Sequence, residues 1–302
     1  MADGISLNGI IPPLVTPLMD RDTLDARGFE RLIEHVLSGG VHGLFVLGTT
    51  GEAPALSYKL RNDIISRACR QISGRVPVLV GITDTSFSES VALAGRAADC
   101  GADAVVLAPP YYFTAGQAEL IEYVEHLIEE LSLPLFLYNM PGCTKINLEP
   151  QTVKYLAQFK KIAGLKDSSG DMVYFHRVRA LLKNRPDFSF FTGPEELLAE
   201  SVLLGASGGV CGGANMFPDL YVRLYNAAKT GDLKIIRALH EKVIEISTTV
   251  YSVGKHGSSF LKGVKAALNL MGICSDFVSE PFHRFKAPEK ETVRKLINSL
   301  DL

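Results

Sequence analysis

The ten residues Ile162-Ala163-Gly164-Leu165-Lys166-Asp167-Ser168-Ser169-Gly170-Asp171 contain the structural unit from which the chain is built. Residues 162–165 form a short apolar run typical of a buried strand, and the polar residues after Lys166 predict a turn and then the start of a helix. The same succession of apolar run, turn and helical pattern recurs on both sides of this stretch. Strand–helix units in series predict a parallel α/β fold.

Eight short apolar runs are candidate strands. Several are apolar at consecutive positions, as expected for parallel strands that are covered on both faces. Pro77 and Pro134 each open a run, where the missing N–H is harmless. The predicted strands are residues 9–15, 43–47, 77–82, 103–108, 134–138, 162–166, 188–192 and 207–211.

A helical pattern follows each of these runs. Ser57 and Ser86 stand where helix N-caps are expected, and Gly101 stands where a helix is expected to end. The predicted helices are residues 25–39, 57–73, 87–100, 116–131, 149–158, 171–183, 195–204 and 217–229.

The repeated units predict a (β/α)8 TIM barrel over residues 1–230, because their length is close to the ~250 residues typical of that fold. A doubly wound open sheet is the alternative, but no Gly-x-Gly-x-x-Gly motif follows the first strand. Apolar stripes at helical spacing in residues 233–252, 257–271 and 288–300 predict a layer of about three helices. We expect this C-terminal helical extension, residues 231–302, to pack on the barrel or on a partner subunit.

The bulk composition excludes several classes of protein. The chain has 302 residues, 47% of them hydrophobic, and a formal net charge of -2, which argues against a nucleic-acid or membrane-surface partner. No apolar run is long enough to span a bilayer, and the N-terminus does not resemble a signal peptide. The five cysteines form no Cys-x-x-Cys pair, which predicts reduced thiols in a cytoplasmic protein. The seven dispersed histidines predict no metal site.

Lys166 is the most informative residue because it stands at the end of a predicted buried strand. Burial disfavours the charged form of a lysine, and a neutral amine can attack a ketone to form a Schiff base. The sequence therefore predicts carbonyl chemistry through a covalent imine on Lys166, without metal or cofactor. The alternative is a structural lysine that extends its ammonium group to solvent.

Other candidate site residues stand at the carboxyl ends of strands, where barrels build their active sites. The loop of residues 48–52 (GTTGE) offers hydroxyl and N–H donors to an anion without a cation, which suits a keto-acid carboxylate; an ordinary tight turn is the alternative. Tyr138 ends the strand before that of Lys166, where a phenol can relay protons. The alternative for both Tyr138 and Tyr112 is a structural role as core tyrosines whose hydroxyls are hydrogen-bonded. Residues 208–213 are glycine-rich without a nearby cation, which favours packing against a substrate over phosphate binding.

Four motifs occur together in the order and approximate spacing of one family. They are GTTGE at 48–52, PPYY at 109–112, YNMPG at 138–142 and GLKDSSGD at 164–171. The chain resembles the N-acetylneuraminate lyase/dihydrodipicolinate synthase family over essentially its whole length. Each motif is weak alone, but the four together on eight strand–helix units are highly specific.

The resemblance implies a class I aldolase on a (β/α)8 barrel, usually a homotetramer. Lys166 matches the Schiff-base lysine and Tyr138 the proton-relaying tyrosine. Thr50 matches a member of the proton relay, and Tyr112 matches the tyrosine that completes that relay from a neighbouring subunit in the synthases. The positions that match substrate-binding residues are Thr49 and Thr50 for the keto-acid carboxylate, and Gly193 and Val210 for the wall of the pyruvate pocket.

Five positions bear on the second substrate. Cys143 stands where the synthases typically carry the arginine that binds the carboxylate of aspartate semialdehyde, and a thiol cannot make that bidentate contact. Lys145 could compensate only as a point charge with a long reach. Ser168 stands where the sialic acid lyases carry a threonine, and Glu196 falls where those lyases hold sugar hydroxyls. Gly212 stands where those lyases carry a serine, which argues against a sialic acid substrate.

The sequence therefore predicts a pyruvate-type class I aldolase or lyase that cleaves a hydroxylated 2-oxo acid reversibly into pyruvate and an aldehyde. Dihydrodipicolinate synthesis is the alternative that Cys143 disfavours. A sugar-acid dehydratase and a keto-acid-binding protein without turnover remain open as further alternatives.

Overall fold

The computed structural model of the protein describes residues 5–300. Within them, strands and helices alternate as the sequence predicts. The strands are β1 (Gly9–Ile10), β2 (Leu44–Val46), β3 (Val78–Gly81), β4 (Ala104–Leu107), β5 (Leu135–Asn139), β6 (Ile162–Asp167), β7 (Ser189–Thr192) and β8 (Gly208–Gly209). The helices are α1 (Ala26–Ser38), α2 (Tyr58–Ile72), α3 (Phe87–Asp99), α4 (Gln117–Glu130), α5 (Pro141–Thr144), α6 (Pro150–Leu156), α7 (Met172–Leu181), α8 (Leu198–Leu203), α9 (Pro218–Thr230), α10 (Leu233–Thr249), α11 (Ser259–Leu270) and α12 (Ala287–Ser299).

The eight parallel strands form a barrel, which confirms the predicted fold class. The hydrogen-bonded order is β1-β8-β7-β6-β5-β4-β3-β2. Between β1 and β2 the ring is joined by a single parallel bridge from Pro13 to Phe45, with the Leu14 N–H donating to the Phe45 carbonyl at 2.8 Å. Strand β1 is shorter than the predicted 9–15 because Pro12 and Pro13 have no N–H to donate to a ladder.

Helix ends follow the predicted chemistry. The Ser57 hydroxyl caps α2 by accepting from the Leu60 N–H, and the Ser86 hydroxyl caps α3 by accepting from the Glu89 N–H. Gly101, just beyond α3, has a φ of 81°, a left-handed conformation that glycine adopts without strain.

The apolar side chains form two clusters. The larger lies between the strands and the surrounding helices. The smaller fills the barrel interior and consists of Leu7, Ile11, Phe45, Leu79, Ala104, Val106, Ala108, Phe136, Tyr138, Ala163, Phe191 and Val210. Alternate residues of β2, β3, β4 and β5 supply the two clusters, as the two-residue period of a strand requires.

The C-terminal helices α10–α12 match the three predicted stripes. Their buried residues include Ile236, Leu239, Val243, Ile246, Val264, Leu268 and Val293, which join the outer cluster. The extension therefore packs on the barrel, while the domain boundary after residue 230 stays a prediction. No helix within residues 5–300 is both long enough and apolar enough to cross a membrane.

Candidate active site

A local irregularity of β6 directs Lys166 into the barrel. Leu135 pairs with Ile162 but the next residue, Phe136, pairs with Gly164, so β6 contains one extra residue. Ala163 belongs to the interior cluster, Leu165 to the outer one, and Lys166 pairs with Tyr138, an interior residue. Position 164 requires glycine, because the Cβ of any other residue would lie 2.4 Å from the Ser189 carbonyl oxygen.

The amine of Lys166 is buried against aromatic rings. The residue is 7% exposed, and its Nζ lies 3.7 Å from the centroid of the Tyr138 ring and 5.9 Å from that of Phe45. Among residues 5–300, no carboxylate lies within 4.0 Å of this nitrogen. Lys166 is therefore neither solvent-exposed nor held in an ion pair.

The hydroxyl of Tyr138 lies beside that of a threonine in the GTTGE loop. Tyr138 Oη and Thr49 Oγ1 lie 3.3 Å apart, close enough to share a hydrogen bond. The hydroxyl beside Tyr138 is thus that of Thr49, and the relay role expected for Thr50 stays a prediction. The chain turns so tightly here, with the Gly51 N–H donating to the Gly48 carbonyl, that only one of the two adjacent side chains reaches Tyr138. Thr50 is half-buried in the same turn.

The loop of residues 47–52 has strained ends. Leu47 and Glu52 both have a φ of 59°, in the left-handed region that residues other than glycine seldom occupy. The Thr16 hydroxyl, from the end of the segment after β1, donates to the Gly51 carbonyl at 2.7 Å. Gly81 of β3 lets the loop approach, since a Cβ there would lie 2.0 Å from the Leu47 carbonyl oxygen. Surrounding contacts thus impose the loop's shape.

A Gly81→Ala substitution is expected to lower kcat/KM for a 2-oxo acid about 10- to 100-fold, because the backbone of the loop must shift by roughly 1 Å. Steady-state kinetics measure this effect. The matched control is Gly95→Ala in α3, where an added Cβ meets nothing within 4 Å. We expect that control to leave the rate unchanged and to raise helix stability by roughly 0.5–1 kcal/mol. Equal rates for the two variants would contradict the role of the loop.

The ends of β6, β7 and β8 bring three predicted residues together. A Cβ on Gly193 would lie 1.9 Å from Ser168 Oγ, so these two residues are in contact. The Val210 N–H donates to the Thr192 carbonyl at 2.8 Å, and the Val210 side chain belongs to the interior cluster with Tyr138. Glycine at 193 is therefore required for Ser168 to lie over the end of β7.

A buried polar pair, not predicted from the sequence, fixes the loop that follows β5. Asn139 Nδ2 donates to Asp167 Oδ1 and to Asn147 Oδ1, each at 2.9 Å, and Asn139 Oδ1 accepts from the Leu148 N–H. Burial raises the pKa of the Asp167 carboxyl, while hydrogen bonds from Asn139 and Ser169 oppose that change. The pair ties the loop carrying Cys143 to the strand of Lys166.

A cavity of about 160 Å³ opens above Tyr138. Its lining includes three aromatic residues, Phe45, Tyr111 and Tyr138, three threonines, Thr49, Thr83 and Thr144, and the exposed Cys143. None of its lining residues within the described range 5–300 is charged. Lys145 is not among these lining residues; it is exposed, and its Nζ donates to the Gly142 carbonyl at 2.7 Å.

Two predicted site residues lie apart from this cluster. Tyr112 is 76% exposed and stacks edge-on against Phe113, with ring centroids 5.2 Å apart. Its relay role would require another subunit and stays a prediction. Glu196 is half-buried, whereas the adjacent Glu195 is fully enclosed and accepts hydrogen bonds from Tyr221, Tyr251 and the Gly213 N–H. Burial raises the pKa of Glu195. The hydrogen bonds of its carboxylate indicate a structural role for this residue.

A buried lysine at the end of a barrel strand, beside a tyrosine and a loop of hydroxyls, defines the class of Schiff-base-forming lyases on a (β/α)8 barrel. The chain belongs to the dihydrodipicolinate synthetase family, whose sequence model matches residues 6–300. It is thus an enzyme, a class I aldolase or lyase, as predicted.

Relatives within this family carry different names. The chain is 61% identical to a dihydrodipicolinate synthase from Bacteroides thetaiotaomicron, with a TM-score of 0.95 over 97% of this chain and 99% of that one. It is 32% identical to YagE, a prophage protein of Escherichia coli K12 belonging to the dihydrodipicolinic acid synthase family, solved in complex with pyruvate, with a TM-score of 0.92 over 98% and 99% of the chains. It is also 33% identical to YjhH of Escherichia coli K12, a probable 2-dehydro-3-deoxy-D-pentonate aldolase, over 88% of both chains.

Proposed function

We propose that Lys166 forms an imine with pyruvate or a longer 2-oxo acid, and that the enzyme reversibly cleaves a hydroxylated 2-oxo acid into pyruvate and an aldehyde. One observation carries the proposal. The buried Nζ of Lys166 lies 3.7 Å from the ring of Tyr138, whose hydroxyl is 3.3 Å from that of Thr49.

The proposed chemistry begins when Lys166 Nζ attacks the ketone carbon and water leaves. Tyr138 gives its phenolic proton to the departing hydroxyl, which leaves the imine protonated. The resulting phenolate then takes the proton of the substrate hydroxyl, and the adjacent carbon–carbon bond breaks to release the aldehyde. The electron pair moves into the imine, giving an enamine that is protonated on carbon, and hydrolysis releases pyruvate. Because the imine accepts the electrons, the reaction as proposed needs neither metal nor cofactor.

The proposed site for the 2-oxo acid carboxylate is the loop of residues 48–52. Thr49 and Thr50 supply hydroxyls, and the turn supplies backbone N–H groups. Gly193, Val210 and Ser168 form the far side of the pocket. The pyruvate complex of the relative YagE supports pyruvate as the ligand.

We propose an uncharged, hydroxylated aldehyde as the second product. The lining of the cavity beside Tyr138, among residues 5–300, includes threonines, tyrosines and Cys143 but no charged residue, which suits an uncharged ligand better than a carboxylate. The name of the aldolase YjhH supports this choice. A second candidate is dihydrodipicolinate synthesis, which the name of the relative that is 61% identical supports.

A Cys143→Arg substitution separates these two candidates. A new guanidinium at the cavity wall is expected to improve kcat/KM for aspartate semialdehyde by about 10- to 100-fold, the value of a hydrogen bond to a charged group. The measurement compares aspartate semialdehyde consumption with pyruvate release from a panel of hydroxylated 2-oxo acids. Cys143→Ser is the matched control and is expected to resemble the wild-type protein. Rapid turnover of aspartate semialdehyde by the wild-type protein would establish the synthase instead.

We further propose a cytoplasmic homotetramer. Exposed aromatic rings at Tyr112 and Phe113, and exposed apolar side chains at Val173, Leu203 and Leu204, supply two surfaces that subunits could cover. In an assembled enzyme, Tyr112 would reach the relay of a neighbouring subunit. The five unpaired cysteines support a reducing compartment.

A further inference from the structure

The carboxylate of Glu52, the last residue of the GTTGE loop, is bound by the C-terminal extension. Its Oε1 forms an ion pair with Lys265 Nζ of α11, and its Oε2 accepts hydrogen bonds from the Ser279 N–H and hydroxyl, each at 2.7 Å. Lys265 and Ser279 lie more than 200 residues away along the chain. The loop of the proposed carboxylate site is thus held from outside the barrel.

Lys265 is an unusual residue for its surroundings. It is 0% exposed in the middle of α11, and its Nζ also donates to the Phe277 carbonyl at 2.6 Å. Burial lowers the pKa of Lys265, while the Glu52 carboxylate opposes that change. A buried ion pair is seldom more stable than apolar residues of the same volume, although removing one partner is costly. Stability alone therefore does not account for this pair.

A continuous set of contacts connects the ion pair with the reacting amine. The Glu52 N–H donates to the Thr49 carbonyl at 3.0 Å, Thr49 Oγ1 lies 3.3 Å from Tyr138 Oη, and the Tyr138 ring lies against Lys166 Nζ. The φ of 59° at Glu52 is unfavourable for a glutamate and persists because the surroundings impose it. The ion pair and the two Ser279 hydrogen bonds are the contacts that fix this end of the loop.

We propose that Glu52 and Lys265 are positioning residues for the proposed aldolase reaction: their ion pair lets the C-terminal extension hold Thr49 against Tyr138 and the loop amides toward the substrate carboxylate. Neither residue touches the substrate. The inference rests on the proposed function, because it assigns this loop to the 2-oxo acid carboxylate. The three C-terminal helices are then required for substrate binding as well as for stability.

The test compares Lys265→Met with Lys290→Met. Lys290 of α12 also bridges the C-terminal segment, donating to Asp276 at 2.7 Å and to Asn269 at 2.6 Å, but makes no contact with the loop. Each variant is titrated with pyruvate in the presence of borohydride, and the pyruvate concentration for half-maximal covalent labelling is measured well below the melting temperature. We expect Lys265→Met to raise this concentration about 10- to 100-fold and Lys290→Met to leave it within about twofold of wild type, even if both lower the melting temperature.

Ser279→Ala provides a milder variant if Lys265→Met does not fold. It keeps the ion pair and the Ser279 N–H bond, and removes only the hydroxyl bond to Glu52. A rise of about 10-fold, the value of one hydrogen bond to a charged group, supports the proposal. Wild-type half-saturation in folded Lys265→Met or Ser279→Ala overturns it, as does an equal rise in Lys290→Met. Absence of any adduct in the wild-type protein instead removes the proposed function, and this inference with it.

Discussion

Replacement of Lys166 by alanine is expected to abolish carbon–carbon bond cleavage, with a loss of kcat/KM on the order of 10⁴-fold or more. The reason is chemical, because without the amine there is no imine and the electrons of the breaking bond have no acceptor. The melting temperature should change little or rise, since the substitution removes a buried amine that has no carboxylate partner among residues 5–300. Pyruvate release from the best 2-oxo acid substrate measures the effect.

Two further lysine variants distinguish nucleophilic chemistry from charge and from general stability. Lys166→Arg keeps a cation but cannot form an imine, so it should be as inactive as Lys166→Ala. Lys161→Ala removes the lysine that immediately precedes the N-terminal end of β6. The Nζ of Lys161 donates to the Ile128 and Leu131 carbonyls. That variant should retain the wild-type rate if it folds. Substantial activity in Lys166→Arg would show that the amine acts only through its charge.

Replacement of Tyr138 by phenylalanine is expected to lower kcat about 10²- to 10⁴-fold, the range for loss of a positioned acid–base group. The phenyl ring keeps the contact with Lys166, so the pyruvate adduct should still form, but proton transfer to and from the substrate should be slow. The effect should therefore appear in kcat far more than in the pyruvate concentration needed for half-maximal adduct formation.

Tyr155→Phe is the control for this substitution. Tyr155 lies on α6, where its hydroxyl donates to Glu125 at 2.8 Å on the protein surface. The loss of an exposed hydroxyl there should leave kcat unchanged. If Tyr138→Phe were as active as Tyr155→Phe, the hydroxyl of Tyr138 would have no part in proton transfer, and Thr49 beside it would lose its role as well.

The sequence predicts the architecture well because local patterns determine it. Short apolar runs, several of them apolar at consecutive positions, identify the strands, and Ser57 and Ser86 identify two helix starts. The length of β1 is less predictable, because the hydrogen bonds lost at Pro12 and Pro13 matter only once the neighbouring strands are in place. The three apolar stripes beyond residue 230 identify the C-terminal helices, though not the surface they cover.

The candidate site is predictable only in part. Lys166 and Tyr138 are identified by their position at strand ends and by motif resemblance. The extra residue at Gly164, which turns Lys166 inward, depends on the pairing of β5 with β6 and leaves no local pattern. The choice of Thr49 over Thr50 depends on a turn whose ends are imposed by distant contacts. The ion pair of Glu52 with Lys265 joins residues so far apart in sequence that periodicity carries no information about it.

The imine on Lys166 is tested most directly by mass spectrometry of the protein after borohydride reduction in the presence of pyruvate. We expect one covalent pyruvyl adduct per chain, located by peptide mapping on Lys166 and lost in Lys166→Ala. An unmodified Lys166 in a protein that still releases pyruvate, or an adduct on a different lysine, would contradict it.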